Sequence, residues 1–89
     1  MIETIEKAIA VYGKDMQLNV AVEELSELIK EICKYKRGAD NLENIVEEIA
    51  DCYIMIEQLI SMLDINYSQV YSQMRLKIKR LEDRLKEGG

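Results

Sequence analysis

The sequence predicts an all-α protein, an antiparallel helical bundle of about four helices that is completed by homo-oligomerisation. Apolar residues recur at three- and four-residue spacing along almost the whole chain, which is the helical period. The 89 residues include no proline, the residue that most often interrupts helices. The segments between the periodic stretches are short, and short connections place successive helices side by side in opposite directions. A chain of this length buries only about 60% of its unfolded surface, so we expect it to self-associate.

A glycine separates the first two helices. The first is predicted over residues 2–12 and ends at Tyr12-Gly13, and the second is predicted over about 15–36. Gly38 suits the C-terminus of the second helix, because glycine readily adopts the left-handed backbone found there. The apolar residues of this helix repeat with the helical period: Leu18, Ala21, Val22, Leu25, Leu28, Ile29 and Ile32.

The third helix is predicted to start with a capping box. In Asp40-Asn41-Leu42-Glu43, an acid that can cap the helix is followed three residues later by a glutamate that can bond back to it. The helical period then continues to about Leu63. Its apolar positions are Ile45, Ile49, Cys52, Ile56 and Leu59.

The fourth helix is predicted over about residues 67–86. The segment Asp64-Ile65-Asn66 breaks the third helix, and Asn66 with Gln69 can cap the start of the next. Gly88-Gly89 ends it. The apolar stripe of this helix is surrounded by dense charge, which would also suit an oligomer interface, and consists of Val70, Tyr71, Met74, Ile78, Leu81 and Leu85.

The composition describes one domain, residues 1–89, without a nucleic-acid or membrane partner. The formal net charge is −5, whereas general nucleic-acid binders are basic. The longest uncharged stretches are too short to span a membrane. The N-terminus lacks a basic segment followed by an apolar run, so no signal peptide is predicted and a cytoplasmic location is expected.

The two cysteines, Cys33 and Cys52, do not predict a zinc site. They form no CxxC motif, and the chain has no histidine to complete a ligand set. Both lie in apolar helical sequence and are predicted to be small core residues.

Two pairs of acidic residues carry the functional prediction. Glu24/Glu27 and Glu48/Asp51 are each three residues apart, so each pair projects from one face of its helix. Both pairs lie against the apolar stripe, on consecutive helices that an antiparallel hairpin places side by side. Ionised carboxylates in such a position are costly unless a cation neutralises them. We therefore expect the four carboxylates to line one cavity that can hold divalent ions.

The chemistry of these ligands favours Mg2+, with Mn2+ as the alternative. Both are hard cations that prefer oxygen ligands. A di-iron bundle also uses carboxylates on several helices, but that architecture needs a Glu-x-x-His element, and this chain contains no histidine.

Acidic pairs at this spacing also occur by chance in a chain with 17 acidic residues. Glu3/Glu6 is such a pair and predicts nothing. Three further acids are assigned to exposed faces: Glu31, Glu43 and Glu57. If the paired carboxylates were surface residues too, the chain would be a purely structural helical oligomer with its basic last helix as an interaction arm.

Taken together, the motifs resemble those of the MazG-like all-α nucleoside triphosphate pyrophosphohydrolases. The family's pattern is E-E-x-x-E followed by E-x-x-D on the next helix. This chain has Glu23-Glu24-x-x-Glu27 and then Glu48-x-x-Asp51, preceded by Tyr12-Gly13 and Gln17. The similarity extends over residues 12–84, and the paired motif with a Lys- and Gly-containing turn between its halves is fairly specific.

The resemblance implies a hydrolase that converts a ribo- or deoxyribonucleoside triphosphate to the monophosphate and pyrophosphate, with Mg2+ as cofactor. Active members assemble as homodimers or homotetramers, with sites completed across subunits. A non-catalytic member that binds metal and nucleotide, or regulates a partner, is the alternative. The implied metal ligands are Glu24, Glu27, Glu48 and Asp51, and the implied catalytic residues, which orient or activate water, are Glu23 and Glu27.

The resemblance also implies contacts to the substrate. Gln17 matches a position near the nucleotide. The last helix is similar to the family's late basic segment, with Lys77, Arg80 and Arg84 as candidates to contact the phosphates. Two departures stand out: Tyr12 occupies a position where the family often has Trp, and no Asn lies between Lys77 and Arg84.

Overall fold

The computed structural model describes residues 1–88, which form four α-helices and no strand. They are α1 (Ile2–Tyr12), α2 (Lys14–Lys36), α3 (Leu42–Met62) and α4 (Tyr67–Lys86). The all-α prediction is therefore confirmed, with helix ends within one or two residues of those expected. Gly89, predicted to help end α4, lies outside the described residues. Within the described part, no helix is long and apolar enough to cross a membrane.

Two glycines make the tight turns around α2. Gly13 has φ 88° and is the single residue between α1 and α2. Gly38 has φ 95°, its N–H donates to the carbonyl of Tyr35 at 2.9 Å, and the N–H of Ala39 donates to Lys34 at 3.1 Å. This pair of bonds is the Schellman arrangement. The prediction that Gly38 ends the second helix is thus confirmed, because an L residue is strained at such φ values.

The predicted capping box at the start of α3 is wrong. The N-cap residue is Asn41, one residue after Asp40, and no side chain caps the helix. The Asn41 amide points across the turn instead, where its Nδ2 donates to the Glu31 carbonyl at 2.9 Å and to Glu31 Oε1 at 3.1 Å. Lys34 Nζ lies 3.2 Å from Glu31 Oε2. The side chain that could have capped α3 therefore ties its first turn to the end of α2.

The cap predicted from Asn66 and Gln69 at the start of α4 is confirmed, and the two residues form a capping box. Asn66 Oδ1 accepts from the N–H of Ser68 at 3.1 Å, and the N–H of Asn66 donates to Gln69 Oε1 at 2.9 Å. The preceding turn places Asp64 at φ 53°, a left-handed conformation that Asp tolerates better than most residues.

Helices α2 and α3 form an antiparallel hairpin, as predicted. Three contacts in order along α2 meet α3 in reverse order: Gln17 bonds Gln58, the Glu24 carbonyl accepts from Cys52, and Glu31 bonds Asn41. We call the facing positions the hairpin seam. All of its residues are buried or half-buried: Gln17, Ala21, Glu24, Leu28 and Glu31 on α2, and Asn41, Ile45, Glu48, Cys52, Met55 and Gln58 on α3.

The residue after each seam position lies on one side of the hairpin. A step of one residue rotates a side chain by about 100°, and because the helices are antiparallel, the two rotations lead to the same side. We call this surface the hairpin apolar face. Its large side chains are 38–69% exposed: Val22, Leu25, Ile29, Ile32, Leu42, Val46, Ile49, Tyr53 and Ile56. α1 covers only one end of this face, where Ile5 and Ile60 are buried and line a common cavity of about 300 Å³.

The expectation of a four-helix antiparallel bundle is only partly met. Helices α1, α2 and α3 pack together, whereas none of the residues of α4 is buried. The hydroxyl of Tyr67 at the start of α4 donates to Glu57 on α3, but the rest of the helix extends into solvent. The apolar core is correspondingly small and consists of Ile5, Ala21, Cys52, Met55, Ile60 and Met62.

Replacing Asn41 by Ala should lower the Tm by several degrees. The substitution removes both hydrogen bonds that join the two helices at the turn and leaves the buried Glu31 with fewer donors, which is the costly way to break a hydrogen bond. Thermal unfolding followed by circular dichroism measures the change. Asn19→Ala, at an exposed position of α2, is the matched control, and an equal effect of the two substitutions would contradict this role of Asn41.

Candidate metal centre

Three carboxylates meet in the middle of the hairpin seam. Glu24 on α2 and Glu48 and Asp51 on α3 each offer an oxygen, and these three atoms all lie within 4.8 Å of one another. All three residues are half-buried. We call this group the carboxylate cluster. Its members are three of the four residues proposed from the sequence as metal ligands.

The local sequence explains the position of the cluster. Glu24 and Glu48 occupy seam positions, with Ala21 one turn before the first and Cys52 one turn after the second, so their side chains point between the helices. The Cys52 thiol donates to the Glu24 carbonyl at 3.6 Å, which fixes the spacing of the two backbones beside the cluster. Asp51 precedes a seam position and therefore approaches from the side opposite the hairpin apolar face.

The electrostatic environment opposes ionisation of the cluster. Burial raises the pKa of Glu24, and the charge of Asp51 and a hydrogen bond with it raise the pKa further, followed by the charges of Glu48 and Glu27. Burial also raises the pKa of Glu48, with the charges of Asp51, Glu27 and Glu31 adding to it. The dominant causes are thus loss of solvent and repulsion among like charges.

The donors available at the cluster fit a hard divalent cation. Glu48 Oε2 is buried and has no hydrogen-bond partner among residues 1–88. The two salt bridges found in the described chain join Lys34 to Glu31 and Lys79 to Asp83, so neither neutralises the cluster. Carboxylate oxygens without a protein cation are the ligands that Mg2+ and Mn2+ prefer.

The two remaining acids of the E-E-x-x-E motif lie at the edge of the cluster. Glu23 and Glu27 are both exposed, on the same side of α2 as Asp51 is on α3. The charge of Glu27 raises the pKa of both Glu24 and Glu48, whereas Glu23 is not among the groups that affect them. The structure thus places Glu27 beside the cluster without bringing it into the three-oxygen group.

The assignment of Glu31 to an exposed face is wrong. Glu31 is 6% exposed, and the hydrogen bond from Asn41 lowers its pKa despite burial, with Lys34 and Asn44 contributing further donors. Its charge, and that of Glu47, also raises the pKa of Glu48. The seven-residue spacing from Glu24 could have identified Glu31 as a seam residue, because positions seven apart share a face of a helix.

The residues expected to contact substrate lie away from the cluster. Gln17 is 5% exposed, and its Nε2 donates to Gln58 Oε1 at 2.6 Å, so a nucleotide contact at Gln17 stays a prediction and requires that bond to open. Lys77, Arg80 and Arg84 line one shallow depression on α4 together with Asp83. None of these basic side chains is among the groups that shift the pKa of Glu24 or Glu48.

The cysteines differ from each other. Cys52 is buried, as predicted, and burial together with the charges of Glu48 and Glu24 raises the pKa of its thiol, which keeps the sulfur protonated beside the cluster. Cys33 is exposed, so its assignment to the core is wrong. Its position directly follows Ile32 on α2, beyond the hairpin apolar face.

No protein-family model, no curated protein and no solved structure matches this chain. The carboxylate cluster and the motif residues that form it are therefore the features of this chain that bear most directly on its function. Of the four residues proposed as ligands, three are brought together and the fourth, Glu27, lies next to them.

Without divalent ions, the protein should be more stable at pH 5 than at pH 7.5. A carboxyl group whose pKa is raised in the folded state contributes stability below its ordinary value of 4.5, and this contribution is lost as the pH rises through the raised value. The lowered pKa of Glu31 affects stability in the opposite direction, but this effect changes with pH below the ordinary value of 4.5, outside the range from pH 5 to pH 7.5. Thermal unfolding in EDTA measures the difference.

The double substitution Glu24→Gln/Glu48→Gln should flatten this dependence on pH, because the two groups no longer titrate. The matched control is Glu3→Gln/Glu43→Gln, at exposed positions, which should leave the slope unchanged. A wild-type Tm that is constant or rises between pH 5 and pH 7.5 would contradict the electrostatic description of the cluster.

Proposed function

We propose that this protein is a metal-dependent nucleoside triphosphate pyrophosphohydrolase that acts as a homo-oligomer. The observation that carries the proposal is the carboxylate cluster, in which three acidic side chains from two helices converge without a protein cation. The resemblance of the E-E-x-x-E and E-x-x-D motifs to the MazG-like family supports the same reading, since its implied ligands include all three residues.

Mg2+, or Mn2+ in its place, would be held by Glu24, Glu48 and Asp51, with Glu27 as the nearest further carboxylate. Glu48 Oε2 is buried without a hydrogen-bond partner, so it is the cluster oxygen that a bound cation would stabilise most. When bound, the metal supplies positive charge that neutralises the triphosphate and makes water more acidic. An acidic protein of net charge −5 would otherwise repel its own substrate.

The reaction requires a group that accepts a proton. Water adds to the α-phosphorus, the bond from this phosphorus to the bridging oxygen breaks, and pyrophosphate leaves with that oxygen. Glu27 is the best placed acceptor, because it is exposed to solvent and close enough for its charge to affect both Glu24 and Glu48. Glu23 is assigned a supporting role at the solvent edge.

Assembly supports this assignment in two respects. The hairpin apolar face exposes more large apolar side chains than the core of one chain buries, which is typical of a surface covered by another subunit. The basic residues proposed to hold phosphates, Lys77, Arg80 and Arg84, lie on α4, which does not pack against the helices that carry the cluster. A homodimer or homotetramer would allow a second copy to supply such contacts.

Mg2+ or Mn2+ should raise the Tm of the purified protein. At a concentration about 100 times its Kd, an ion that binds only the folded state contributes about 2.7 kcal/mol, which corresponds to roughly 10–20 °C for a domain of this size. Asp51→Asn should remove most of the shift, because it removes a charged ligand, whereas Glu43→Gln at an exposed position of α3 should keep it. Equal shifts in all three proteins would contradict the metal site.

Pyrophosphate release should be metal-dependent and should require the cluster. With a panel of canonical and modified nucleoside triphosphates, Glu48→Gln or Asp51→Asn should lower kcat/KM by about 100-fold or more, because the charge that develops in the transition state is no longer neutralised. The exposed Glu43→Gln variant is again the matched control.

Glu27→Gln should separate binding from catalysis. Loss of a general base typically lowers kcat by about 10²–10⁴, while the three clustered carboxylates still provide a metal-dependent rise in Tm. If the wild-type oligomer binds metal and nucleotide but releases no pyrophosphate from any substrate, the protein is a binding or regulatory bundle, and the hydrolase proposal is overturned.

A further inference from the structure

Helix α4 carries an apolar stripe that nothing in the chain covers. Val70 and Leu76 aside, the large apolar residues of α4 alternate at four- and three-residue spacing, which is the heptad repeat of a coiled coil. Each of them is 42–67% exposed, and none is buried. We call this stripe the α4 seam: Tyr67, Tyr71, Met74, Ile78, Leu81 and Leu85.

The width of the α4 seam indicates what covers it. The positions on either side of its C-terminal half are charged: Arg75 and Glu82 on one side, and Lys77 and Arg84 on the other. A helix that fills the groove between two others needs a broad apolar face, whereas a stripe limited to the heptad core positions fits a single partner helix. The hairpin apolar face, formed by two helices, is therefore a poor match for α4.

We propose that α4 pairs with α4 of a second copy of this chain as a parallel, two-stranded coiled coil. The choice of core residues agrees with this geometry. In parallel dimers, a β-branched residue is favoured at the first core position of a heptad and leucine at the second. Ile78 and Leu81 occupy these two positions in the central heptad of α4.

The flanking charges favour the parallel orientation. In a parallel pair, the residue just before the first core position of one helix faces the residue just after the second core position of the other helix, which is five positions further along the sequence. Lys77 of each chain then faces Glu82 of the other, which gives two attractive contacts. Two antiparallel registers keep Ile78, Leu81 and Leu85 all paired. One places Lys77 opposite Arg84 and Arg75 opposite Glu82, so that repulsion and attraction offset each other, and the other places Lys77 opposite another Lys77. The parallel pair has the Lys77–Glu82 attractions without an opposing repulsion.

The pairing has a consequence for the basic residues of α4. In this pairing Lys77 faces Glu82 of the second copy, so the phosphate contact proposed above for Lys77 would fall to Arg80, which lies on the outer side of the coiled coil. The inference concerns assembly and does not depend on the proposed hydrolase activity. Its test uses neither metal nor nucleotide, so the two proposals can fail separately.

Disulfide cross-linking tests the pairing directly. In a parallel coiled coil, identical core positions face each other at a distance that a disulfide can bridge. In a Cys33→Ser background, which removes the exposed native thiol, Leu81→Cys should form a covalent dimer under mild oxidation. Leu76→Cys is the matched control, because Leu76 is a similarly exposed apolar residue of α4 outside the seam, 50% exposed against 42% for Leu81.

The expected result is a Leu81→Cys cross-linking rate about tenfold or more above that of Leu76→Cys, because pairing raises the effective concentration of the facing thiols. Equal rates at the two positions would overturn the proposal, since they would reflect random collision. Absence of a covalent dimer in both variants would overturn it as well.

A charge exchange tests the orientation. Lys77→Glu alone and Glu82→Lys alone should each weaken dimerisation about tenfold, because two attractive contacts become repulsive in each homodimer. Mixing the two variants should restore it, since every contact in the mixed dimer joins opposite charges. An antiparallel pair predicts a different result for Lys77→Glu: tighter association if Lys77 faces Arg84, and little change if it faces another Lys77, because two like charges still oppose each other. Arg80→Glu, on the outer side and in neither of the two salt bridges found among the described residues, is the matched control.

Discussion

The polar positions of the hairpin seam determine much of the structure. Gln17, Glu24 and Glu31 are seven residues apart on α2, so they lie on one line about 10 Å apart. Each meets a polar partner on α3: Gln58, the pair Glu48 and Asp51, and Asn41. A slip in register would break the Gln17–Gln58 and Asn41–Glu31 hydrogen bonds and leave buried polar groups without partners, which costs more than a slipped apolar contact. These polar layers therefore specify the register of α2 and α3, and with it the geometry of the carboxylate cluster.

The same arrangement explains why one chain has so small a core. Positions that would carry large apolar residues in an ordinary helical hairpin are taken by polar residues, and the large apolar residues stand one position further on. They consequently form the hairpin apolar face instead of filling the seam. A single chain thus exposes apolar surface on the hairpin and along α4, and the proposed assembly would bury both without disturbing the polar layers.

The sequence predicted the helices well because their signals are local. Helical periodicity, Gly13, Gly38 and the Asn66–Gln69 cap act within a few residues of where they stand. The spacing within each acidic pair also predicted a common face, and three of the four acids, Glu24, Glu48 and Asp51, do converge in the structure. The errors concern relations between helices. Asn41 forms a bond to Glu31 on the preceding helix instead of capping α3, and an isolated apolar stripe does not reveal whether α4 packs on its own chain or extends from it.

The cluster and the assembly are expected to influence each other through folding. Ionised Glu24 and Glu48 repel their neighbours across the seam, so the metal-free hairpin is destabilised at neutral pH by the groups that define its site. A cation at the cluster would remove this repulsion and stabilise the hairpin, whose apolar face another subunit would cover in the proposed homo-oligomer. Metal binding and subunit association would then both stabilise the same folded hairpin, so the two equilibria would be linked, and such linkage is reciprocal. Assembly would therefore increase the affinity for metal by the same factor by which metal increases the affinity between subunits, although the metal ion and the hairpin apolar face lie at separate places on the hairpin.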